Sequence, residues 1–236
     1  MSPTLKVLCI IPARGGSKRV PRKNVLPVAG KPLLAHSIEH ALGSKHVNRV
    51  VVSTEDAEIA AVTRACGAEV VERPLELASD TASSESALRH VVEVLAVRED
   101  YRPDLVVFLQ CTSPVRNPDD TDRAVEHLLA TGADSCFSGC RSHALIWRQN
   151  AGGVEPMNYD YHRRQREQDR PREWVENGSI FVFKPWLLFE RNNRLGGKIA
   201  VYEMDLWRSF QIDSPEELAL CEWILSRPRQ IAQNTE

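Results

Sequence analysis

Residues 10–24 read IIPARGGSKRVPRKN, so an apolar run ends directly in a basic loop with two adjacent glycines. Residues 7–11 are apolar throughout and predict a buried strand. Ligands of open α/β sheets bind beyond the carboxyl ends of the strands, and glycine amides together with cations bind anions there. The loop therefore predicts a polyphosphate site, and the alternative is a basic surface turn. Its cations are Arg14, Lys18, Arg19, Arg22 and Lys23.

Two common nucleotide-binding motifs are absent from this loop. The sequence contains neither the G-x-x-x-x-G-K-[ST] motif of P-loop NTPases nor the G-x-G-x-x-G motif of dinucleotide-binding domains, because Gly15 and Gly16 are adjacent. The loop thus counts against P-loop NTPases and ordinary NAD enzymes.

The composition is that of a globular chain. Its 236 residues are enough for one large α/β domain, or for a domain with a small appendage. A formal net charge of -2 gives no indication of a nucleic-acid or membrane partner. The six cysteines include no CxxC pair, and the sequence shows neither a leader nor an apolar run long enough to span a membrane. These features predict free thiols and a cytoplasmic location.

Strand-like and helix-like segments alternate along the chain, which predicts an α/β fold with a doubly wound, mostly parallel sheet. The predicted strands are 7–11, 50–53, 69–71, 105–110, 178–184 and 199–204. The predicted helices are 32–42, 57–66, a helix from Ser83 or Ser84 to 97, one that starts at 117–120, and one that starts at Ser214. Residues 139–174 break this alternation and could form a disordered insertion, a lid, or an arm that completes a partner's site.

Two polar segments follow predicted strands. Residues 78–84, ASDTASS, are dense in hydroxyl groups, which suits ligand binding or a simple helix cap. Residues 110–116, QCTSPVR, leave an apolar strand at its carboxyl end. At this position Gln110 could hydrogen-bond a ligand. The alternative is a turn residue whose side-chain hydrogen bonds are all made within the protein.

Asp213 is the candidate metal ligand, because a carboxylate at a strand–helix junction facing a polyphosphate loop suits Mg²⁺. The alternative is an aspartate that favours a helix N-terminus. His36 and His40 have i, i+4 spacing but lack a third ligand, so we assign them to a helix face. The basic run 163–166 lacks interleaved aromatic residues and a nucleic-acid fold signature, so we do not assign it to RNA.

Together these motifs resemble the CMP-sialic acid synthetase family, the acylneuraminate cytidylyltransferases. The resemblance covers nearly the whole chain, and the related KDO cytidylyltransferases differ in the first loop. It rests on residues 11–18, 23–24, 78–84, 110–116, 177–181 and 212–213, in that order.

The resemblance implies a Rossmann-like nucleotidyltransferase, a single domain over residues 1–236 with a small dimerisation and acceptor arm inserted at about 140–175. The implied reaction joins CMP from CTP to an acidic nine-carbon sugar, with Mg²⁺ and release of pyrophosphate, in a homodimer. The implied nucleotide-binding residues are Arg14, Gly15, Ser17, Lys18, Lys23, Asn24, Asp80, Thr81, Ser83 and Ser84. The implied acceptor-binding residues are Gln110, Arg164, Arg166, Gln168, Asn177, Gly178 and Phe181. Asp213 would hold the metal and, with Arg14, Lys18 and Lys23, support catalysis.

Three positions depart from the family pattern. Gln211 stands where the family commonly has an aspartate, Glu167 stands where an arginine is expected to meet the sugar carboxylate, and Phe181 stands where tyrosine is frequent. Arginine pairs bidentately with a carboxylate, whereas glutamate repels it, so Arg164 or Arg166 would have to serve instead. A KDO-like acid or a phosphonate acceptor, or a catalytically weak nucleotide-binding protein, are the alternatives that these changes leave open.

Overall fold

The structure, a computed structural model, describes residues 5–17 and 19–227. The strands are β1 (Val7–Pro12), β2 (Pro27–Val28), β3 (Lys31–Pro32), β4 (Arg49–Thr54), β5 (Glu69–Glu72), β6 (Leu105–Leu109), β7 (Ser135–Ser142), β8 (Trp147–Asn150), β9 (Gly153–Pro156), β10 (Glu173–Phe183) and β11 (Ile199–Met204). The α-helices are α1 (Leu33–Leu42), α2 (Ala57–Ala65), α3 (Ser84–Glu99), α4 (Asp120–Thr131), α5 (Trp186–Glu190) and α6 (Pro215–Leu225).

Of the described strands, seven form a central sheet in the order β11-β7-β10-β6-β1-β4-β5. Strand β1 pairs in parallel with β4 and β6, and β7 pairs in parallel with β11. Among these strands β10 alone is antiparallel to its neighbours, β6 and β7. This topology confirms the predicted α/β class with a mostly parallel sheet.

Side chains of β1 alternate between two buried layers. Val7, Cys9 and Ile11 pack with apolar residues of α1 and α4, whereas Leu8 and Ile10 pack with those of α3. Helices therefore cover both faces of the sheet, as expected of a doubly wound fold. Full burial of one such aliphatic side chain stabilises the fold by about 1.5–3 kcal/mol. The basic loop therefore follows a strand whose position is fixed by the core.

The sequence pattern does not predict β7, because small and polar residues interrupt its apolar positions. The structure buries Ser135 and Ser138 and pairs the strand with both β10 and β11. Ser138 Oγ, for example, donates a 2.6 Å hydrogen bond to Asn177 Oδ1 of β10. A buried hydroxyl is tolerated when it has such a partner, so long-range pairing decides this strand. Strand β10 also starts earlier than predicted, at Glu173 rather than residue 178.

Residues 143–172 form the arm between β7 and β10. Strands β8 and β9 pair as an antiparallel hairpin, and two 3-10 turns, Tyr161–Arg163 and Glu167–Asp169, follow it. Trp147 packs against the rings of Tyr159 and Tyr161, with ring centroids 5.9 and 5.8 Å apart. The arm is therefore a structured hairpin, which the broken sequence pattern left undecided.

The predicted helix caps are confirmed at two of three positions. Ser83 Oγ accepts a hydrogen bond from Ser86 N, and Ser214 Oγ accepts one from Glu217 N. The start predicted at 117–120 is confirmed, because α4 begins at Asp120, but the expected side-chain cap is absent, since the side chain of the N-cap residue Asp119 makes no capping bond. Asp120 is instead buried and accepts a 2.6 Å bond from Asn117 N.

Helices long and apolar enough to cross a membrane are not found among residues 5–17 and 19–227.

Candidate active site

Two clefts open at the carboxyl edge of the parallel strands and meet at Asp213, which lines both. The first cleft, of about 390 Å³, lies between the basic loop, the end of β6 and the start of α3. The second cleft, of about 590 Å³, lies between the ends of β7 and β10 and residues 205–213, which we call the junction segment. The predicted residues in the first cleft are Arg14, Ser17, Lys23, Asn24, Ser84 and Gln110. Those in the second are Asn177 and Asp213.

The glycine loop is fixed from behind by β4. Ala13 N donates to Ser53 O, and Gly15 N donates a 2.7 Å hydrogen bond to Glu55 Oε1. A Cβ at Gly15 would lie 2.5 Å from Asp56 Oδ2, so glycine is required for this close approach. The loop backbone is thus held in place beside the cleft.

Arg14 and Asn24 are joined through the loop backbone. Asn24 is buried, and its Nδ2 donates a 3.0 Å hydrogen bond to Arg14 O. The Arg14 guanidinium donates to Ser79 O at 2.9 Å and pairs with Asp80 at 3.2 Å. Asn24 therefore holds the loop, while Arg14 connects it to the predicted hydroxyl-rich segment.

Lys23 connects the basic loop to the junction segment. Its Nζ donates to Ile212 O at 2.7 Å and to Asp213 Oδ1 at 2.8 Å, although the two charged residues are 190 positions apart. The Lys23 side chain is 12% exposed, so this ion pair is partly shielded from water. The structure thus brings together the predicted triphosphate lysine and the predicted metal carboxylate. Lys18, which the sequence also assigns to the triphosphate, lies outside the described residues.

Arg22 and Arg19 take different directions from the same loop. Arg22 has a left-handed backbone with φ 57° and pairs with Asp56 and Glu58 at the start of α2, away from the cleft. Arg19 lines the first cleft, although the sequence assignment omitted it. Proximity in sequence does not therefore decide which loop cations face the cleft.

The segment 78–84 divides between the cleft and helix capping. Asp80 pairs with Arg14, and Ser84 lines the first cleft. Ser83 caps α3, and Thr81 Oγ1 lies 3.3 Å from Ser79 Oγ. The structure does not place Ser83 or Thr81 in the lining of the cleft.

Gly178 lies where the side chains of Gln110 and Gln211 approach each other. Its φ is +65°, and an added Cβ would lie 2.5 Å from Gln211 Nε2 and closer still to Gln110 Oε1. Gln211 Nε2 donates a 2.8 Å hydrogen bond to Asn177 O. Because Gln110 lines the first cleft and Gln211 the second, this glycine marks the passage between them.

Phe181 lies in the core rather than in a cleft. It is fully buried, and its ring stacks on Phe108 with centroids 5.4 Å apart. Because Phe181 occupies an inward position of β10, its ring cannot contact an acceptor in this arrangement, contrary to the sequence-based assignment.

The predicted acceptor residues of the arm do not line either cleft in this chain. Arg164, Arg166 and Gln168 are exposed, and Arg166 pairs with Asp169 at 2.9 Å. The second cleft is lined instead by Arg141 and His143 of its own chain.

A sequence profile described as cytidylyltransferase matches residues 8–222, which include the basic loop, both clefts and Asp213. This chain belongs to the cytidylyltransferase family.

Two relatives within the family are named for different acidic sugars. N-acylneuraminate cytidylyltransferase A of Danio rerio is 38% identical over 211 residues, covering 88% of this chain and 48% of the relative. Pseudaminic acid cytidylyltransferase of Campylobacter jejuni strain 81-176 is 35% identical over 189 residues, covering 78% of this chain and 81% of the relative. The chain therefore spans about half the length of the fish relatives it matches.

Two solved structures share the fold. One is CMP:2-keto-3-deoxy-manno-octonic acid synthetase complexed with CTP, with a TM-score of 0.69 and 22% identity over 93% of this chain and 98% of that one. The other is 4-diphosphocytidyl-2C-methyl-D-erythritol synthase, with a TM-score of 0.71 and 16% identity over 95% and 100%. At these identities the likeness concerns the fold alone.

In this family member a buried arginine connects Gln110, at the end of β6, to Ser179 of β10. Arg116 is 3% exposed and donates 2.9 Å hydrogen bonds to Gln110 O, Ser179 O and Ser179 Oγ. Burial lowers its pKa to about 10, which reflects the cost of removing a guanidinium from water. It lies in the quoted segment 110–116, but nothing in the sequence pattern showed that its side chain points inward.

A divalent cation would have to use few protein ligands here. Within the described residues no group of three or more His, Cys, Asp and Glu side chains is arranged to hold a metal. Asp213 offers one carboxylate beside the basic first cleft. Mg²⁺ is commonly held by one or two carboxylates together with substrate phosphates. The donor set therefore fits a metal that arrives with a nucleotide. His36 Nε2 lies 2.8 Å from Val28 O, so that ring nitrogen is already engaged.

Proposed function

We propose that this chain transfers CMP from CTP to an acidic nine-carbon sugar and releases pyrophosphate. The Lys23–Asp213 pair is the observation that carries this proposal, because it joins a basic cleft to a second cleft at one point. Family membership supports cytidylyl transfer, and the names of the two relatives support an acidic nonulosonic acceptor.

The proposed chemistry is an in-line displacement. A hydroxyl oxygen of the acceptor attacks the α-phosphorus of CTP, the bond to the bridging oxygen breaks, and pyrophosphate leaves with that electron pair. Arg14 and Lys23 would neutralise charge that builds on the leaving group. The hydroxyl proton passes to solvent or to a nearby base as the new P–O bond forms. No nucleophilic side chain is required.

Asp213 would hold Mg²⁺ in this proposal. When bound, the metal supplies Lewis-acid polarisation of the phosphate oxygens. Lys23 now occupies one oxygen of Asp213, so we expect the triphosphate to compete for the lysine and leave the carboxylate available.

The acceptor would bind in the second cleft, with its carboxylate near Arg141 and His143. Arg141 makes no ion pair within the described part of the chain, whereas His143 Nδ1 lies 3.0 Å from Glu167 Oε1. A guanidinium without a carboxylate partner is suited to receive one from a substrate.

We further propose that the chain forms a homodimer through its arm. Several large apolar side chains of the arm are exposed, and the rings of two of them, Trp147 and Tyr161, pack together with centroids 5.8 Å apart. Exposed apolar patches mark protein–protein interaction sites. The exposed side chains are Ile146, Trp147, Val154, Met157 and Tyr161. Sedimentation of the wild-type chain tests this, and a monomer at micromolar concentration contradicts it.

A cytoplasmic location is also proposed, supported by six free cysteines. Burial raises the pKa of the Cys111 thiol to about 12, so this thiol stays protonated and unreactive. Fractionation of the producing cells would check the location.

The proposed function is tested by a pyrophosphate-release assay. We expect release with CTP and an acidic nine-carbon sugar, and little release with UTP, dTTP or CTP alone. Release with CTP and a KDO-type acid or a phosphonate, but with no nine-carbon acid, would change the acceptor. No CTP-dependent release with any acidic acceptor would contradict the proposal.

A further inference from the structure

The side chain of Asn177 is fully engaged by the protein. It is 3% exposed, and its Oδ1 accepts hydrogen bonds from Ser138 Oγ at 2.6 Å and from Ser179 N at 3.1 Å. Its Nδ2 donates to Ser209 Oγ at 3.1 Å and contacts Met204 Sδ at 3.5 Å. A carboxamide has one oxygen acceptor and two N–H donors, so Asn177 retains little capacity for a substrate.

These bonds connect the sheet to the junction segment. Ser138 and Ser179 belong to the sheet, whereas Ser209 lies in the junction segment. The junction segment makes a second hydrogen bond to Asn177, because Gln211 Nε2 donates to the Asn177 carbonyl. Asn177 is therefore the point at which β10 holds residues 209–211.

The rest of the junction segment is fixed at its two ends. At the start, Ser209 Oγ donates to Asp205 O at 2.9 Å, and Arg208 pairs with Asp205 at 2.7 Å and with buried Asp120. At the end, Ile212 N donates a 2.7 Å bond to Thr112 O. The middle depends on Asn177.

The position of this middle part matters for the second cleft. Ser209, Phe210 and Gln211 all line that cleft, and none of the three lines the first. Asp213, which lines both, has its own bonds to Lys23 and Glu217. Loosening of residues 209–211 should therefore change the acceptor side and leave the nucleotide side almost unchanged.

We propose that Asn177 and Ser209 form a latch that positions the junction segment, and that Asn177 serves the acceptor through this segment rather than by contact. Ser209 is thus a positioning residue for acceptor binding. The proposal rests on the proposed function for its kinetic consequences, but the latch itself is a property of the fold.

The kinetic test compares Ser209→Ala, Asn177→Ala and the double variant. We expect Ser209→Ala, which loses the bonds of its hydroxyl to Asn177 Nδ2 and Asp205 O, to lower kcat/KM for the acceptor about fivefold, with KM for CTP unchanged. Because the bond between Asn177 and Ser209 is lost in either single variant, Ser209→Ala should have a smaller effect in the Asn177→Ala background than in the wild-type chain. Ser209→Thr, which keeps the hydroxyl, should restore activity, and Ser226→Ala, a serine outside both clefts, should be silent.

A contact role for Asn177 predicts the opposite pattern. In that case Ser209→Ala would be nearly silent, and the two effects would add in the double variant. Either result would overturn the proposal. So would a loss of kcat/KM in Ser209→Ala that is equally large for CTP and for the acceptor.

Hydrogen exchange tests the latch independently of turnover. We expect Ser209→Ala to speed exchange of amides in residues 205–213 and to leave β1 and β6 unchanged. If the wild-type chain released no pyrophosphate with any acceptor, the proposed function would fail, while faster local exchange would still support the latch. Unchanged exchange in Ser209→Ala would overturn the latch, whatever the kinetics, and would not depend on whether Asn177→Ala folds.

Discussion

The two clefts are built in different ways, although they share Asp213. Seven residues of the first cleft come from one loop that follows the buried strand β1, namely Arg14, Gly16, Ser17, Arg19, Val20, Lys23 and Asn24. The second cleft is assembled from the ends of β7 and β10 and from the junction segment. These parts are distant in sequence and meet only through tertiary packing.

This difference should separate the effects of substitutions. In the first cleft, charged groups stand where a triphosphate would lie, so their removal should act on the chemistry directly. In the second cleft, a hydrogen-bond network sets the shape, so substitutions should act mainly through the position of its walls. Four predictions test this contrast.

Lys23→Met is expected to have the largest effect, because it removes the charge at the meeting point of the clefts. Pyrophosphate release should fall about 10²–10³-fold, as for the loss of a group that stabilises transition-state charge. The matched control is Arg22→Met in the same loop, which faces Asp56 and Glu58 and should stay within about twofold of wild type. Equal losses in the two variants would break the contrast between cleft-facing and outward cations.

Gly178→Ala should act on the acceptor side. The new Cβ would displace the amide ends of the Gln110 and Gln211 side chains. Because these ends are flexible, we expect a cost near the low end of the about 1–3 kcal/mol of overpacking, and so about a tenfold lower kcat/KM for the acceptor. Gly132→Ala is the control, because Gly132 has a similar φ of +62° but open space around its Cβ position. If both variants behaved alike, backbone strain rather than the collision would be responsible.

Arg141→Ala should raise KM for the acceptor about tenfold and leave KM for CTP unchanged, as the loss of a charge-assisted hydrogen bond predicts. Arg164→Ala and Arg166→Ala, in the exposed arm, are expected to have smaller effects. Steady-state kinetics with each substrate varied in turn would measure this. If Arg164→Ala or Arg166→Ala raised KM for the acceptor more than Arg141→Ala does, the arm of a second copy would supply the cation that binds the acceptor.

Asp56→Asn should have the smallest effect, a loss of folding stability, because Asp56 pairs with Arg22 of the basic loop on the side away from the cleft. Hydrogen bonding from Arg22 lowers the pKa of the Asp56 carboxyl, so its stabilising contribution is present above the usual aspartate pKa and is lost as pH falls through the lowered value. We expect the variant to be about 0.5–1 kcal/mol less stable than wild type at pH 7 in urea unfolding. This difference in stability should close in acid, once the Asp56 carboxyl of the wild-type chain is protonated. A stability difference between Asp56→Asn and wild type that stayed constant down to pH 2 would contradict a stabilising ion pair between Arg22 and Asp56.

The sequence predicted the first cleft more fully than the second for a physical reason. The apolar run of β1 and the adjacent glycines are local signals, so the loop and its role could be predicted together. The partner of Lys23 could not be derived from the loop, although Asp213 was singled out by its own position before α6.

The second cleft depends on contacts that no local pattern reports. The sequence pattern does not show strand β7, because its buried serines find their partners far along the chain: the Ser138 hydroxyl bonds to Asn177 of β10, and the Ser135 hydroxyl bonds to Gly196. Asn177 and Phe181 were both expected at the acceptor, yet one is enclosed by four hydrogen-bonding partners and the other stacks in the core. The direction of each side chain follows from the bulge between Glu176 and Phe181, which the sequence alone does not locate.

The most direct test of the central claim follows the α-phosphorus of CTP across the junction of the clefts. The purified chain is incubated with [α-³²P]CTP, Mg²⁺ and an acidic nine-carbon sugar, and the products are separated by charge. We predict that the label moves to a CMP-sugar while unlabelled pyrophosphate is released, and that Lys23→Met abolishes this transfer. Label that remained in CTP, or appeared as free CMP independently of the acceptor, would contradict the account.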